Sequence, residues 1–365
     1  MTASSPNSPP FQNSAASQNS VLAGSQQCLA DRYDVALLDL DGVVYLAEEP
    51  VPGAAAALAA ARERGMRLAF VTNNASRTPE QVAALLDKVG VPADPTEVVT
   101  SAQAAAHYLA DRLPAGSAVL VLGTVGLIDA ITERGLRPVF SADDRPAAVV
   151  QGFFPDITWR HLAEATIAIR HGAFWLATNL DATVPSPRGA LPGNGALVSA
   201  LEHALGRPPA AATGKPDPSM HAETVQRSRA TAPIVVGDRL DTDIEGATRV
   251  GCPALLVLTG VTDAAMLLAA PPEHRPHYLG HDLSALLQPH PSVTVGDGDA
   301  LCCGTATVRS NGSELLLAGV TDELDGLRAV AVAAWRALDA GRPVPALHAE
   351  DEKSNTALRS FELID

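Results

Sequence analysis

Residues 34–46 read DVALLDLDGVVYL, and this stretch predicts the fold of the chain. Four consecutive apolar residues, 35–38, favour a strand of a parallel sheet that is buried on both faces. Asp39 and Asp41 follow at its carboxyl end, which is where ligands bind in open α/β sheets. A buried ionised carboxylate is costly unless it is paired or binds a metal. Gly42 then lets the chain turn without a Cβ penalty.

The same residues have a simpler interpretation. An isolated D-x-D-G motif recurs by chance, and its acids can serve as a polar strand exit, one capping a helix and the other solvated. The motifs in the rest of the sequence are needed to distinguish these two interpretations.

The charge balance argues against nucleic-acid and acidic-membrane partners. The chain of 365 residues has 26 Lys and Arg against 41 Asp and Glu, a formal net charge of −15. Binding to a phosphate backbone depends on clustered Lys and Arg. A small substrate that carries phosphate remains compatible, because a metal ion and one lysine can reverse the potential locally.

The cysteines and the apolar runs predict a cytoplasmic protein. Cys28, Cys252, Cys302 and Cys303 form neither a C-x-x-C metal pair nor a disulfide framework for a chain of this length. No apolar run reaches 18 residues, and the N-terminal residues lack the pattern of a signal peptide. The adjacent cysteines are expected to be inert, with a redox role left open.

Alternating strand and helix patterns predict an α/β protein with a Rossmann-like, doubly wound parallel sheet. Thr78-Pro79-Glu80-Gln81 has the form of a capping box at a helix start. The predicted modules are a disordered tail at residues 1–30, a catalytic core formed by residues 31–113 and 209–288, an inserted α/β cap at residues 114–208 and a small α+β extension at residues 300–365.

Polar residues follow several of the predicted core strands. They are Asp39 and Asp41, Thr72, Lys215, and Asp238 with Asp243. If these strands are neighbours, the carboxylates converge in one crevice, and like charges at such distances require a cation. Mg²⁺ is the expected occupant, because it binds few carboxylates and keeps positions for water and phosphate. The collection is typical of a phosphoryl-transfer site.

The order DLDGV, VTNN, GKPDP, GDRLDTD resembles the four-motif signature of the haloacid dehalogenase superfamily. The long insertion between Thr72 and Lys215 resembles the NagD-like branch, whose members carry a large α/β cap there. The joint pattern is highly specific, although no single motif is. The resemblance covers residues 34 to about 287 and implies a Rossmann-like core, Mg²⁺ as cofactor and phosphatase activity.

The resemblance also implies roles for individual residues. Asp39 would attack phosphorus and form an aspartyl-phosphate. Asp41 would protonate the leaving alcohol and then deprotonate water, while its backbone carbonyl binds the metal. Asp238 would ligate Mg²⁺, and Asp243 would hold a metal-bound water or Lys215. The implied metal set is therefore Asp39, Asp41, Asp238 and Asp243.

The same resemblance implies that phosphate binds to Thr72, the backbone N–H of Asn73, Gly42 and Lys215. The positive charge of Lys215 would also offset the negative charge of Asp39. Two alternatives stay open at this stage. Thr72 can simply cap the turn after its strand, and an isolated lysine is more often a solvated surface residue. Asp241 is a better candidate for a helix N-cap than for a metal ligand.

The cap is expected to set substrate specificity, because it covers the crevice and excludes water. Gly193 and Asn194, in a Gly-rich loop before a helix, are the candidates for contact with the leaving group. The expected substrate is a small polyol phosphate, with glycerol 3-phosphate first. The alternatives are a broad phosphatase for nucleotide or sugar monophosphates and a non-catalytic protein that binds phosphorylated metabolites.

The last 65 residues resemble a truncated acetyltransferase fold. They contain no Gly-rich R-x-x-G-x-G/A loop, so acetyl transfer is not predicted. One amphipathic helix presents an apolar face formed by Leu324, Leu327, Val330, Ala334, Trp335 and Leu338. This helix is expected to pack on its own strands or on a partner subunit, and the cap and this extension are the candidate interfaces of a homo-oligomer.

Overall fold

The structure is a computed structural model that describes residues 22–184, 186 and 188–364. Its chain forms two compact units. The first comprises the described parts of Met1–Val44, Val51–Leu68 and Ala230–Asp365, and the second comprises those of Tyr45–Pro50 and Ala69–Arg229.

Twelve α-helices are numbered in chain order within the described residues. They are α1 Leu29–Arg32, α2 Ala54–Glu63, α3 Pro79–Lys88, α4 Ser101–Ala110, α5 Val125–Glu133, α6 Trp159–Arg170, α7 Asn194–Leu205, α8 Pro218–Ser228, α9 Glu245–Val250, α10 Ala264–Leu268, α11 Glu323–Asp339 and α12 Glu352–Ser360.

The strands are numbered in the same way. They are β1 Val35–Leu38, β2 Tyr45–Leu46, β3 Glu49–Pro50, β4 Arg67–Thr72, β5 Val98–Thr100, β6 Ala118–Leu122, β7 Arg137–Val139, β8 Ala148–Gln151, β9 Phe174–Ala177, β10 Thr183–Val184, β11 Leu191–Pro192, β12 Ala211–Ala212, β13 Pro233–Gly237, β14 Ala254–Val257, β15 Tyr278–Gly280, β16 Thr294–Val295, β17 Leu301–Cys303, β18 Ala306–Ser310, β19 Glu314–Ala318 and β20 Ala346–Ala349.

The first sheet confirms the predicted Rossmann-like fold. Its strands follow the order β15-β14-β13-β1-β4-β5. The pairs β1–β13, β13–β14, β14–β15 and β4–β5 are all parallel. Every residue of β1 is buried, as the unbroken apolar run predicts for a strand covered on both faces. The carboxyl ends of β1 and β13 are adjacent, with Leu38 paired to Val236, and this register positions the acids that follow them.

The cap region contains its own parallel sheet, with strands in the order β12-β9-β8-β6-β7. Buried side chains on one face include Leu127 and Ile131 of α5. Those on the other face include Ile169 of α6 and Leu201 of α7. Helices therefore cover both faces, which is the α/β arrangement predicted for this segment.

The predicted capping box is confirmed at the start of α3. The Thr78 hydroxyl accepts a hydrogen bond from the Gln81 N–H at 3.3 Å, and the Gln81 side chain accepts one from the Thr78 N–H at 3.0 Å. Two N–H groups that the first helical turn cannot satisfy are thereby paired.

Residues 22–30 differ from the predicted tail. Leu22 is 1% exposed, and Ser25 pairs with His290 through reciprocal backbone hydrogen bonds of 2.7 and 2.8 Å. No local pattern predicts this pairing, because His290 lies more than 260 residues after Ser25 in the chain. The part of the predicted tail at residues 1–21 lies outside the described residues.

The C-terminal module is a mixed sheet with helices, as predicted for an α+β extension. Its strands follow the order β16-β17-β18-β19-β20. The first three pairs are antiparallel, whereas β19 and β20 are parallel and connected through α11. A parallel pair needs such a crossover connection.

Helix α11 is buried beyond its predicted apolar face. It packs on β17 and β18, and it also contacts α10 and β15, which belong to the first unit. The Trp335 Nε1–H donates to the Leu267 carbonyl at 2.8 Å, and the Arg328 guanidinium donates to the Leu279 carbonyl at 2.7 Å. The extension therefore contributes to the core of the first unit.

An ion pair reinforces this packing. The buried Arg275 guanidinium makes two hydrogen bonds of 2.8 and 2.9 Å to the Asp339 carboxylate at the end of α11. These bonds hold the pKa of Asp339 below its ordinary value. The guanidinium carbon also lies 5.2 Å from the centre of the Trp335 ring, within the range of a cation–π contact.

The four cysteines are free thiols. Burial raises the pKa of Cys252 and of Cys303 to about 12, with the nearby Asp325 carboxylate adding to the effect at Cys303. These two thiols are therefore protonated at neutral pH, which removes the thiolate that cysteine reactivity requires. In the part of the chain that the structure describes, no helix has both the length and the apolar character needed to cross a bilayer.

We expect Trp335→Phe to lower the free energy of unfolding by about 2 kcal/mol, because it leaves a void and removes the donor to the buried Leu267 carbonyl. A guanidinium titration followed by far-UV circular dichroism measures this change. The control is Trp159→Phe, since the Trp159 side chain is 79% exposed and its replacement should change stability by less than about 0.5 kcal/mol. Equal effects of the two substitutions would contradict the packing role of α11.

Candidate active site

Three predicted acids come together in the first unit. Asp39, Asp238 and Asp243 each place one carboxylate oxygen within 4.8 Å of the others. Asp39 and Asp238 directly follow the paired strands β1 and β13. Asp238 is 0% and Asp243 1% exposed, so two of the three carboxylates are removed from water.

The position of Asp243 depends on an irregular helical turn. Residues Leu240–Ile244 form a π-helical turn between β13 and α9. The Asp243 N–H donates to the Arg239 carbonyl, while its carboxylate accepts from the Arg239 N–H, both at 3.2 Å. This turn brings the side chain back toward the end of β13, and such turns are frequent at functional sites.

Glycines make room for these carboxylates. A Cβ on Gly42 would lie 2.5 Å from Asp238 Oδ2, and one on Gly237 would lie 2.2 Å from the Asp243 Cβ. Gly42 also has a φ of +86°, as expected for the turn that follows Asp41. Both positions therefore require glycine if the acids are to stay where they are.

The donor set fits a divalent cation. Three oxygen-bearing side chains of like charge converge, and two of them are buried, which is unfavourable for uncompensated carboxylates. Mg²⁺ binds through one or two carboxylates and keeps water or phosphate at its other positions. These residues would hold the ion that the sequence motifs imply.

Asp41 is half-buried and is not one of the three side chains of this acidic cluster. The N–H groups of Val43 and Val44 donate to the Leu40 carbonyl at 3.3 and 2.9 Å, so a tight turn follows the acid. This placement is compatible with the expectation that Asp41 reaches a metal through its backbone carbonyl and leaves its carboxyl for proton transfer.

Apart from Gly42, the residues predicted to bind phosphate lie in the second unit. Thr72 ends β4 and is 3% exposed, and its hydroxyl oxygen accepts from the Asn74 N–H at 3.1 Å. This is the turn-capping bond of the alternative interpretation, but a hydroxyl that accepts a bond retains its own donor. Lys215 is not a solvated surface residue. It is 4% exposed, and its ammonium donates to the Val71 carbonyl at 3.0 Å.

Asn73 connects the loops around Lys215. Its side-chain oxygen accepts from the Lys215 N–H at 2.8 Å, and its side-chain N–H group donates to the Lys215 carbonyl at 3.2 Å. The same nitrogen lies 3.1 Å from both carboxylate oxygens of Asp181. The family resemblance implies a role only for the backbone N–H of Asn73, whereas these hydrogen bonds give its side chain a positioning role.

Three residues of this network were missed by the sequence analysis. The Asn73 carbonyl accepts from the Ser101 hydroxyl at 2.6 Å and from the Asn179 side chain at 2.7 Å, and Asp181 accepts from Asn73. Asn179 and Asp181 follow β9, in a polar run after a buried strand. This is the same signal that identified Thr72 and Asn73, and it could have found them.

Gly193 and Asn194 lie at the start of α7 and bond to the backbone around them. The Gly193 N–H donates to the Ala182 carbonyl at 2.9 Å. Asn194 is 1% exposed, and its side chain donates to the carbonyls of Gln151 and Asn179 at 3.3 and 2.8 Å. Buried amide groups pair with the backbone that surrounds them, and the contact of this loop with a leaving group stays a prediction.

Asp241 is not the predicted N-cap, because the residues at the N-caps of the π-helical turn and of α9 are Arg239 and Ile244. Its exposed carboxylate accepts two hydrogen bonds, of 2.9 and 3.1 Å, from the Arg239 guanidinium. In the second unit, Arg77 likewise forms an ion pair, with Glu48.

Comparison with known proteins identifies the family. Residues 36–137 match the family described as haloacid dehalogenase-like hydrolase, residues 212–286 match a second HAD-hydrolase-like family, and residues 303–363 match the GCN5-related N-acetyltransferase like domain. The chain belongs to the haloacid dehalogenase-like hydrolases.

Similar proteins extend over nearly the whole chain. The D-glycerol 3-phosphate phosphatase of Mycobacterium tuberculosis is 45% identical over 346 residues, which cover 92% of this chain and 96% of that protein. The crystal structure of glycerol phosphate phosphatase from M. tuberculosis in complex with magnesium aligns with a TM-score of 0.85 and 43% identity, over 93% of this chain and 99% of that one. The acid sugar phosphatase of Staphylococcus aureus is 38% identical over 63% of this chain and 88% of its own length.

We expect Asn73→Ala to lower the free energy of unfolding by about 2–4 kcal/mol, because it removes several bonds between segments distant in sequence. The matched control is Asn311→Ala. Asn311 is exposed, and within the described residues its side chain forms hydrogen bonds only in its own turn. Asn311→Ala should therefore lower the free energy of unfolding by no more than about 1 kcal/mol. Chemical denaturation of both variants provides the comparison, and equal losses would rule out a connecting role for Asn73.

Proposed function

We propose that this protein is a Mg²⁺-dependent phosphomonoesterase that works through an aspartyl-phosphate. The observation that carries the proposal is the convergence of Asp39, Asp238 and Asp243 at the ends of adjacent parallel strands. Membership of the hydrolase family supports it.

In the proposed reaction, an Asp39 carboxylate oxygen attacks phosphorus, and the bond from phosphorus to the ester oxygen breaks. Asp41 gives its proton to the departing alkoxide, so that the alcohol leaves neutral. Asp41, now ionised, takes a proton from a water molecule that attacks the phosphoryl group. Phosphate leaves, and the Asp39 carboxylate is regenerated.

The cation would be held by the carboxylates of Asp39, Asp238 and Asp243 and by the Asp41 carbonyl. When bound, Mg²⁺ offsets the charge of the carboxylates and of the phosphoryl oxygens. We assign the remaining phosphoryl contacts to Thr72, to the Asn73 backbone N–H and to Lys215, as their motifs imply. Gly42 is assigned to the same phosphate-binding loop as Asp41.

We propose glycerol 3-phosphate as the preferred substrate. The support is the similarity to the D-glycerol 3-phosphate phosphatase of M. tuberculosis, which covers 92% of this chain. A second candidate is a sugar phosphate, favoured by the S. aureus relatives, whose match covers 63% of this chain. A cytoplasmic location accords with the four free thiols. We also propose that the protein forms a homo-oligomer through the cap or the C-terminal module.

We expect Asp39→Asn to reduce kcat by at least ~10³-fold, because an amide is a far poorer nucleophile than a carboxylate. Phosphate release under steady-state conditions measures the loss. Asp87→Asn, at an exposed position on α3, is the control and should leave kcat unchanged. Retention of a tenth of the activity in Asp39→Asn would contradict the covalent mechanism. Absence of phosphate release from the unaltered protein with every ester would favour a non-catalytic binding protein.

We expect kcat/KM for glycerol 3-phosphate to exceed the values for sugar phosphates and nucleoside monophosphates by at least ~10-fold, because differential contacts in a covered site discriminate at this level. The measurement is a panel of esters assayed with saturating Mg²⁺, including both enantiomers of glycerol 3-phosphate. A clear preference for a nucleoside monophosphate or a hexose phosphate would reject the glycerol assignment and leave the phosphatase assignment intact.

A further inference from the structure

The loop after β14 reaches the metal-site acid Asp238 directly. The Val261 N–H donates to Asp238 Oδ2 at 2.7 Å, and the Thr262 N–H donates to the Asp238 carbonyl at 3.1 Å. One segment of backbone thus fixes both the main chain and the carboxylate of the residue that follows β13. A hydrogen bond from an N–H group to a carboxylate is short and strong when the acceptor is ionised.

The same segment approaches so closely that only glycine fits. A Cβ on Gly260 would lie 2.0 Å from Asp238 Oδ2, and one on Gly42 would lie 2.5 Å from the same oxygen. The carboxylate therefore lies between two stretches of backbone from different loops. The separation is well below any real Cβ contact, so a methyl group on Gly260 has to displace the carboxylate or the loop.

A third contact connects this segment to the loop that carries Asp39 and Asp41. The Thr259 hydroxyl donates to the Gly42 carbonyl. Thr259 and Val261 therefore bond to the loops after β1 and β13, respectively, and these two loops carry the acids of the proposed metal site. The segment leads on into α10, whose N-cap is Asp263.

We propose that residues 259–262 form a positioning element that orients Asp238, and through Gly42 the Asp39–Asp41 loop, for a divalent cation. The inference rests on the proposed role of Asp238 as a metal ligand. Partners of this kind set the direction of a ligand's free oxygen, and their loss typically costs 10- to 100-fold in metal affinity. Thr259, Gly260 and Val261 act through Asp238 and Gly42, so none of them is a catalytic residue.

The test measures Mg²⁺ binding to the full-length protein by isothermal titration calorimetry, without substrate. We expect Gly260→Ala and Thr259→Val each to raise the Kd for Mg²⁺ by 10- to 100-fold, and Thr259→Ser to restore it, because serine keeps the hydroxyl. Thr259→Val adds no bulk near the carboxylate, so it remains informative if Gly260→Ala does not fold.

Two matched controls separate positioning from general destabilisation. Thr305→Val removes a hydroxyl that donates to the Gly319 carbonyl at 2.7 Å, in the C-terminal module. Gly304→Ala introduces a clash of 2.2 Å with Asp325 Oδ2, also in the C-terminal module. Both controls should bind Mg²⁺ with the affinity of the unaltered protein, whatever their melting temperatures.

Asp238→Asn distinguishes failure of this inference from failure of the proposed function. If Asp238→Asn weakens Mg²⁺ binding while Thr259→Val and Gly260→Ala bind as the unaltered protein does, the positioning role is overturned and the metal assignment stands. If Asp238→Asn also binds Mg²⁺ normally, both are overturned. Equal weakening in the two controls would likewise overturn the positioning role.

Discussion

Repulsion among three carboxylates is the constraint on which the rest of this structure depends. Asp39, Asp238 and Asp243 place oxygens within 4.8 Å of one another, and two of these side chains are buried. At such separations each pair of unit charges repels by on the order of 3 kcal/mol in a medium of intermediate polarity. A fold tolerates this arrangement when a cation offsets the charge, so the cluster is itself an argument for a metal-dependent activity.

The surrounding backbone follows from that constraint. Gly42, Gly237 and Gly260 each lie where a Cβ would collide with Asp238 or Asp243. A π-helical turn brings Asp243 to the cluster, and the Thr259 hydroxyl and the Val261 N–H hold the neighbouring loops. The three glycines and the π-helical turn are therefore explained by the close approach of the backbone to the carboxylates of Asp238 and Asp243.

The C-terminal module contributes to the same unit through packing. Trp335 and Arg328 of α11 donate to backbone carbonyls at Leu267 and Leu279. Leu267 belongs to α10, the helix that continues from the positioning segment. Within the module, the N–H groups of Gly319 and Val320, just before α11, donate to the side chains of Asp351 and Ser354, respectively. These contacts give the module a structural role that its resemblance to an acetyltransferase does not suggest.

The sequence by itself determined the parallel-sheet core, the capping box at Thr78 and the acids at the ends of β1 and β13. Apolar runs, caps and polar strand exits are local patterns, and the motifs that they position are short. Only the tertiary structure decided that Asn73 holds the Lys215 loop through its side chain, that Asn194 is buried among backbone carbonyls, and that Ser25 pairs with His290. Each of these depends on contacts between residues far apart in the chain, and no local pattern encodes which distant atoms a polar group will meet.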